Sequence, residues 1–158
     1  MKKLSIIIPC YNEQETVELF IHEMVKVESK VPLEFEYIFV NDGSRDETLR
    51  VLKEAAKLKE NVNYLSFSRN FGKEAALIAG LQAATGEFVT VMDVDLQDPP
   101  ELLPDMYQKI VEGYDIVGTR RSDRAGEPVI RSFFAKNFYK IINSISDVKM
   151  VDGARDFR

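Results

Sequence analysis

The sequence predicts an α/β fold with a mainly parallel, Rossmann-like sheet that is covered by helices on both faces. Short apolar runs rich in β-branched residues alternate along the chain with longer segments in which apolar residues recur at helical spacing. This alternation is typical of right-handed strand–helix–strand crossovers. Because the short runs are apolar at nearly every position, we expect strands that are buried on both faces, as in parallel sheets.

The predicted strands and helices follow one another in a regular order. Strands are predicted at residues 4–8, 35–40, 62–67, 88–92 and 114–119. Helices are predicted at residues 15–27, 74–84, 101–112 and 129–145, and another begins near Asp46, because apolar residues recur there every three or four positions. Asp46 or Ser44 is expected to cap that helix, and Gly86 is expected to follow the end of the 74–84 helix as a C′ glycine.

Length and composition fit one globular domain over residues 1–158. The chain is 45% hydrophobic and 30% charged, which is enough for a real core. Its one cysteine, Cys10, ends an apolar run and is expected to be a small buried hydrophobe in a reducing compartment. No apolar run is long enough for a membrane span or a signal peptide. Residues 151–158 look like the start of another element, so we expect a fragment of a longer protein.

Charge is divided unevenly along the chain. Residues 120–158 hold nine Lys and Arg against five Asp and Glu, a net charge of +4, which leaves −9 for the residues before them. The basic part is expected to face an anionic partner. The acidic total of −5 argues against general nucleic-acid binding.

An acidic stretch after the fourth predicted strand is the strongest functional signal. Asp93, Asp95 and Gln97 alternate directly after residues 88–92. On an extended segment, side chains two apart point the same way and can bring oxygen ligands to one point. Such ligands suit Mg²⁺ or Mn²⁺, and ligands of open α/β sheets bind outside the carboxyl ends of the strands. The alternative is a polar loop whose carboxylates cap the helix that begins near Pro100.

Polar clusters also follow the first and second predicted strands. Tyr11 could cover a flat base, Asp42 could accept a hydrogen bond from a ring N–H, and Gly43 lets the backbone come close to a ligand. Together with a metal at Asp93 and Asp95, these residues describe a nucleotide-diphosphate site. Each cluster alone is weak evidence, because residues 41–44 are also an ordinary turn sequence.

Taken together and in this order, the motifs resemble the inverting family 2 glycosyltransferases, which have the A-type nucleotide-diphosphosugar transferase fold. The matching stretches are residues 5–13, 40–46, 68–73 and 92–100. The Asp-Leu-Gln-Asp-Pro-Pro and Arg-Asn-Phe-Gly-Lys segments look like the branch that includes dolichol-phosphate mannose synthase and bacterial polyprenyl-phosphate glucosyltransferases. Residues 156–158 resemble the start of that branch's Asp-Phe-Arg-Leu stretch.

The resemblance implies metal-dependent, inverting transfer of a sugar from a UDP- or GDP-sugar to a polyprenyl phosphate. The implied nucleotide-binding residues are Pro9, Tyr11, Asn12, Glu13, Asp42, Gly43 and Asp93. The implied metal ligands are Asp93, Asp95 and Gln97, with Mg²⁺ or Mn²⁺ as the ion. Arg120 and Arg131 are implied to bind the acceptor phosphate, and Asp156 is the implied catalytic residue.

The resemblance also bears on the membrane. Relatives in this branch usually continue into further helices, often two membrane spans, so we expect a soluble fragment of a protein that works at the cytoplasmic face of a membrane. The helix predicted at residues 129–145 carries a Phe- and Ile-rich stripe flanked by cations. It is either an interfacial helix that faces the membrane surface or a core helix that packs on the sheet.

Two other functions remain open, and two are disfavoured. The acceptor could be a glycan hydroxyl, or the chain could be an inactive nucleotide-sugar-binding module. A haloacid-dehalogenase-type phosphatase would carry its Asp-x-Asp pair after the first strand, whereas here it follows the fourth. A nicotinamide dehydrogenase needs a glycine-rich turn after the first strand, and residues 9–13 contain no glycine. The oligomeric state is not predicted.

Overall fold

The described residues form a four-stranded parallel sheet. The computed structural model describes residues 1–119 and Phe157. Residues 1–117 and Phe157 belong to one compact unit. Within it, parallel strands lie in the order β3-β2-β1-β4. Their bounds are Lys3–Cys10 for β1, Glu34–Asn41 for β2, Val62–Ser66 for β3 and Phe88–Val91 for β4.

Helices follow each strand, as the alternating pattern predicts. Their bounds are Val17–Glu28 for α1, Thr48–Leu58 for α2, Lys73–Ala83 for α3 and Leu103–Val111 for α4, which a 3₁₀ turn at Pro100–Leu102 precedes. Up to α4, the bounds that the sequence predicts differ from the observed ones by no more than two residues. The α/β fold with a parallel sheet is therefore confirmed.

Successive side chains of β1 enter two different apolar layers. Ile6 and Ile8 belong to a core that also contains Phe20 of α1 and Phe39 of β2, whose rings meet edge to face at 6.0 Å. Ile7 points the other way, towards α3, where a Cβ on Gly80 would run into its side chain. Both faces of β1 are therefore covered by helices, which is why the strand is apolar at nearly every position.

A polar cluster joins the turn before β4 to the amino ends of β1 and β2. The buried Ser5 hydroxyl donates to Glu36 Oε2 at 2.5 Å and accepts from the Gly86 N–H at 2.8 Å. Thr85 donates to the same carboxylate through its N–H at 3.1 Å and its hydroxyl at 2.8 Å. Burial by itself would raise the pKa of Glu36, but the hydrogen bonds from Ser5 and Thr85 hold that pKa below its usual range.

Gly86 has a different role from the one that the sequence predicts. The C-cap of α3 is Ala84 in an extended conformation, and Gly86 does not have the positive φ of a C′ glycine. A Cβ at Gly86 would lie 2.7 Å from the Lys3 carbonyl oxygen and 2.8 Å from the Ser5 nitrogen. Glycine is needed because the turn passes directly against β1. The predicted role of Gly86 as a C′ glycine is wrong.

The fifth predicted strand is also wrong. Residues 114–119 are not a strand, and Tyr114 and Ile116 are 59% and 78% exposed. A strand depends on ladder partners and on cross-strand packing, and the sheet of the described residues is formed by the four strands β1 to β4. The helix predicted at residues 129–145 lies outside the described residues and stays a prediction.

The described part of the chain also bears on membrane insertion. None of the helices within residues 1–119 is long and apolar enough to cross a bilayer.

We expect Glu36→Gln to lower the free energy of unfolding by about 1–2 kcal/mol near neutral pH, because an amide replaces a carboxylate that accepts charge-assisted hydrogen bonds. The folded-state pKa of Glu36 lies below its unfolded value. Its contribution is therefore present above the unfolded pKa of about 4.3 and is lost as the pH falls through the folded-state pKa. Urea unfolding near pH 7 and near pH 3 measures this, and the gap between wild type and variant should shrink at the lower pH.

Glu34→Gln is the matched control on the same strand. The Glu34 side chain is 53% exposed and forms an ion pair with the amino terminus at 3.9 Å, so the substitution should change stability little. A stability gap for Glu36→Gln that stays constant between the two pH values would contradict the role of the carboxylate charge.

Candidate active site

The carboxyl ends of β1, β2 and β4 bring the predicted functional motifs to one edge of the sheet. Cys10 and Asn41 are partners in the ladder, and the Asp42 N–H continues it by donating to the Cys10 carbonyl at 2.9 Å. On the other side of β1, the Met92 N–H donates to the Ile7 carbonyl at 3.0 Å. Parallel pairing with a central β1 thus places the residues after all three strands in the region where open α/β sheets bind ligands.

Hydrogen bonds fasten the loop after β1 to the loop after β2. The Asn12 N–H donates to Ser44 Oγ at 2.9 Å, and Asn12 Oδ1 accepts from the Arg45 N–H at 2.9 Å. The Glu13 N–H donates to Thr48 Oγ1 at 2.8 Å. Asn12 has a φ of 57°, in the left-handed region that asparagine adopts more readily than most residues. The two loops predicted to bind the nucleoside therefore hold each other in place.

Asp42 is almost fully buried, and its carboxylate organises a third loop. Its Oδ1 accepts from the Phe71 N–H at 2.7 Å and its Oδ2 from the Gly72 N–H at 2.9 Å. These donors lie directly before α3, which begins at Lys73. Each carboxylate oxygen has a further lone pair, so a base N–H can still be accepted. The predicted contact of Asp42 with the nucleoside stays a prediction, and its hold on the 71–72 backbone is a role that the sequence did not indicate.

The other predicted nucleotide-binding residues surround these loops. Tyr11 is 42% exposed, so its ring has a face available for a base. Glu13 Oε2 accepts from the Thr16 hydroxyl at 2.6 Å at the start of α1, and Pro9 is half-buried. Gly43 has a φ of 65°, and a Cβ there would collide with the Arg69 backbone, so the close approach of the two loops requires glycine.

Cys10 lies at this edge but is a packing group. It is 2% exposed, as predicted. Burial raises the pKa of its thiol, and the nearby carboxylates of Glu13 and Asp93 raise it further. Because the thiolate is the reactive form, Cys10 is not a nucleophile at neutral pH.

Lys73 and Asp93 form an ion pair across the edge of the sheet. Lys73 Nζ lies 2.8 Å from Asp93 Oδ1 and 3.1 Å from Oδ2, so the ammonium group touches both oxygens of the predicted metal ligand. The two side chains are 39% and 38% exposed. Lys73 lies in the Arg-Asn-Phe-Gly-Lys segment, but the sequence alone did not indicate a role for it. Its position directly after Gly72, just before the predicted third helix, was the sequence feature that could have indicated a role.

Asp95 lies in a turn and Gln97 follows it, so the two residues are not on an extended segment. β4 ends at Val91, and Leu96 has a φ of 58°. Asp95 Oδ1 accepts from the Gln97 N–H at 3.1 Å, and both residues are exposed. The argument that alternate side chains point the same way is therefore wrong beyond Asp93. The assignment of Asp93, Asp95 and Gln97 as metal ligands stays a prediction.

The donor set fits a divalent cation that a substrate helps to hold. The described residues contain no cluster of three acidic, histidine or cysteine side chains that would hold a metal alone. Mg²⁺ usually binds proteins through one or two carboxylates together with water and substrate phosphates, which matches Asp93 and Asp95. The ammonium group on Asp93 indicates that a cation is favoured there.

An apolar cavity elsewhere in the described unit does not contain this chemistry. It has a volume of about 400 Å³ and lies along β4, with Leu81, Val89 and Ile110 in its wall. Asp42, Asp93 and Asp95 are not among its lining residues. The carboxyl edge of the sheet, where the polar groups gather, is therefore the better candidate for the active site.

The predicted acceptor-phosphate and catalytic residues belong to the basic stretch of residues 120–158. Arg120, Arg131 and Asp156 lie outside the described residues, and their roles stay predictions. Phe157, from the stretch that resembles the family's Asp-Phe-Arg-Leu segment, is fully buried in the main core.

Comparisons with known proteins identify the family of this chain. The model of glycosyl transferase family 2 matches residues 5–154. A putative glycosyltransferase, CsbB of Bacillus subtilis, is 47% identical over 98% of this chain and 47% of its own length. The bactoprenol glucosyl transferase of Shigella phage SfX is 42% identical over 99% of this chain and 51% of its own length. The chain thus spans about half the length of the curated relatives it matches.

A solved structure shows the same fold. Glucosyl-3-phosphoglycerate synthase from Mycobacterium tuberculosis, in complex with Mn²⁺, UDP-glucose and phosphoglyceric acid, aligns with a TM-score of 0.65 at 20% identity, over 97% of this chain and 55% of that one. This chain therefore belongs to glycosyltransferase family 2 and has the A-type glycosyltransferase fold.

Proposed function

We propose that the complete protein transfers a sugar from a nucleotide-diphosphosugar to a polyprenyl phosphate, with inversion at the anomeric carbon. The observation that carries the proposal is the meeting of exposed Tyr11, buried Asp42 and Asp93 at one edge of the sheet. A nucleoside-binding side next to an acidic side is what a nucleotide diphosphate and its cation need. The acceptor class is supported by the relative named bactoprenol glucosyl transferase.

The donor is held at two ends in this proposal. Tyr11 covers the base, and Asp42 accepts from its ring N–H while keeping the 71–72 backbone in place. Uracil and guanine both offer such an N–H, so these residues accept either nucleotide. At the other end, Asp93, Asp95 and Gln97 would hold Mg²⁺ or Mn²⁺. The bound cation would neutralise the charge that builds on the leaving nucleotide diphosphate.

A lipid phosphate needs little activation as an acceptor. Its oxygen is already an anion, so it attacks the anomeric carbon while the bond from that carbon to the diphosphate oxygen breaks and the nucleotide diphosphate leaves with the electron pair. No proton has to leave the acceptor. The useful residues are then cations that position the phosphate, for which we propose Arg120 and Arg131, while Asp156 orients one of them or the sugar.

The proposed acceptor also sets the proposed location. A polyprenyl phosphate is confined to a bilayer, so the complete protein would work at the cytoplasmic face of a membrane. The basic residues among positions 120–158 would then face anionic headgroups.

The test uses the complete protein in detergent with UDP-glucose or GDP-mannose, Mg²⁺ or Mn²⁺, and a polyprenyl phosphate. We expect labelled sugar in the lipid fraction only when the metal and the lipid phosphate are both present. Transfer to a glycan hydroxyl, with none to the lipid phosphate, would replace the proposed acceptor. Nucleotide binding without transfer to any acceptor would leave a binding module.

We expect Asp95→Asn to lower the affinity for the nucleotide diphosphate about tenfold or more in Mn²⁺ and to change it little in EDTA, because one anionic ligand of the cation is lost. Isothermal titration calorimetry with UDP and GDP measures this. Asp105→Asn, an exposed residue in the first turn of α4, is the matched control and should have no effect. Equal wild-type affinity in Mn²⁺ and in EDTA would refute the metal assignment.

In the complete protein, we expect Asp156→Asn to lower turnover about tenfold or less, since an orienting group is lost. Arg131→Ala should cost more, because a phosphate contact disappears. Steady-state rates with a polyprenyl phosphate measure both. A loss of about a thousandfold for Asp156→Asn, with nucleotide binding intact, would identify a general base and favour a hydroxyl acceptor.

A further inference from the structure

We infer that Lys73 is a positioning residue that competes with the metal ion for Asp93 and thereby makes metal binding depend on the nucleotide diphosphate. The inference rests on the proposed function, because it concerns the same nucleotide and cation. Its basis is the ion pair in which Lys73 Nζ lies 2.8 Å and 3.1 Å from the two Asp93 oxygens.

The contact places two cations in competition for one carboxylate. A metal ion that binds Asp93 needs at least one of the oxygens that the ammonium group now touches. Two cations on the same carboxylate also repel each other. In the absence of nucleotide, Lys73 therefore weakens the affinity of Asp93 for a free metal ion.

The pair is also weak enough to exchange. Lys73 and Asp93 are 39% and 38% exposed, and ion pairs with this much solvent contribute little net stability. A divalent ion carries twice the charge of the ammonium group and would therefore compete with it for Asp93. A diphosphate bound with the ion would offer the ammonium group another anion. The pair then opens at small cost, and the ammonium group finds a new partner in the diphosphate.

The backbone of Lys73 is fixed while its side chain is long. The preceding N–H groups of Phe71 and Gly72 are held by Asp42 at 2.7 Å and 2.9 Å, so the start of α3 is tied to the end of β2. Lys73 can therefore swing its ammonium group without moving its Cα. Because Asp42 is the proposed nucleoside contact, residues 71–73 connect the proposed nucleoside site to the proposed metal site.

Competition for Asp93 would couple the binding of the metal ion to the binding of the nucleotide. Lys73 would leave Asp93 when a metal ion binds there, and its released ammonium group would pair with the diphosphate, so each ligand would raise the affinity for the other. Lys73 thus keeps Asp93 neutralised in the empty site and favours joint binding of metal and nucleotide.

The test measures Mn²⁺ binding to the complete protein by electron paramagnetic resonance, without nucleotide and with saturating UDP or GDP. We expect Lys73→Met to bind Mn²⁺ alone about three- to tenfold more tightly than wild type, because the competing charge is gone. The factor by which the nucleotide raises Mn²⁺ affinity should fall at least as much. Lys73→Arg keeps the charge and should behave like wild type, and Lys73→Gln should behave like Lys73→Met.

Lys53→Met, an exposed lysine on α2, is the matched control and should leave every affinity unchanged. Thermal unfolding of each variant shows that the fold is intact. Unchanged Mn²⁺ affinity in both Lys73→Met and Lys73→Gln, or an arginine variant that behaves like them, would overturn the inference. If wild type binds no UDP or GDP in Mn²⁺, the proposed function itself fails, which is a separate outcome.

Discussion

The geometry of the carboxyl edge depends on the two hydrogen bonds that Asp42 accepts from the backbone of residues 71 and 72. A buried carboxylate is costly unless it is hydrogen-bonded, and here both of its oxygens receive an N–H. The donors precede α3, so the first residue of that helix, Lys73, comes within reach of Asp93. One buried charge thus connects the ends of β2 and β4, which lie on opposite sides of β1.

The two halves of the site are prepared to different degrees. On the proposed nucleoside side, hydrogen bonds between the loops after β1 and β2 hold Asn12, Ser44 and Arg45 in one arrangement, and Gly43 allows close contact with the Arg69 backbone. On the proposed metal side, Asp95 lies in a turn, Gln97 follows it, and both residues are exposed. Loops that are already held in place suit a rigid nucleotide base, because little order has to be gained on binding. The exposed carboxylates would stay hydrated until a cation and a diphosphate replaced the water.

The balance of charge explains how acids and an anionic ligand can share one edge. Asp93 and Asp95 would repel a diphosphate, and only cations between them make the approach favourable. Lys73 supplies one such charge from the chain itself, because its ammonium group contacts Asp93. A divalent ion at the proposed metal site would supply a larger charge than an ammonium group does.

Much of the fold and part of the site could be predicted from the sequence because they depend on local patterns. Strands that are buried on both faces appear in the sequence as apolar runs, and helices appear as apolar residues spaced three and four positions apart. The alternation of strands and helices along the chain predicts a parallel sheet, and Tyr11, Asp42 and Asp93 follow the carboxyl ends of its strands. The remaining features depend on partners that are distant along the chain. Residues 114–119 have strand-like composition without a ladder partner among the described residues, and Gly86 is required by the backbone of β1. The tertiary structure likewise decided that Asp42 holds residues 71 and 72 and that Lys73 meets Asp93, because a sequence shows which groups can bond but not which of them the fold brings within 3 Å.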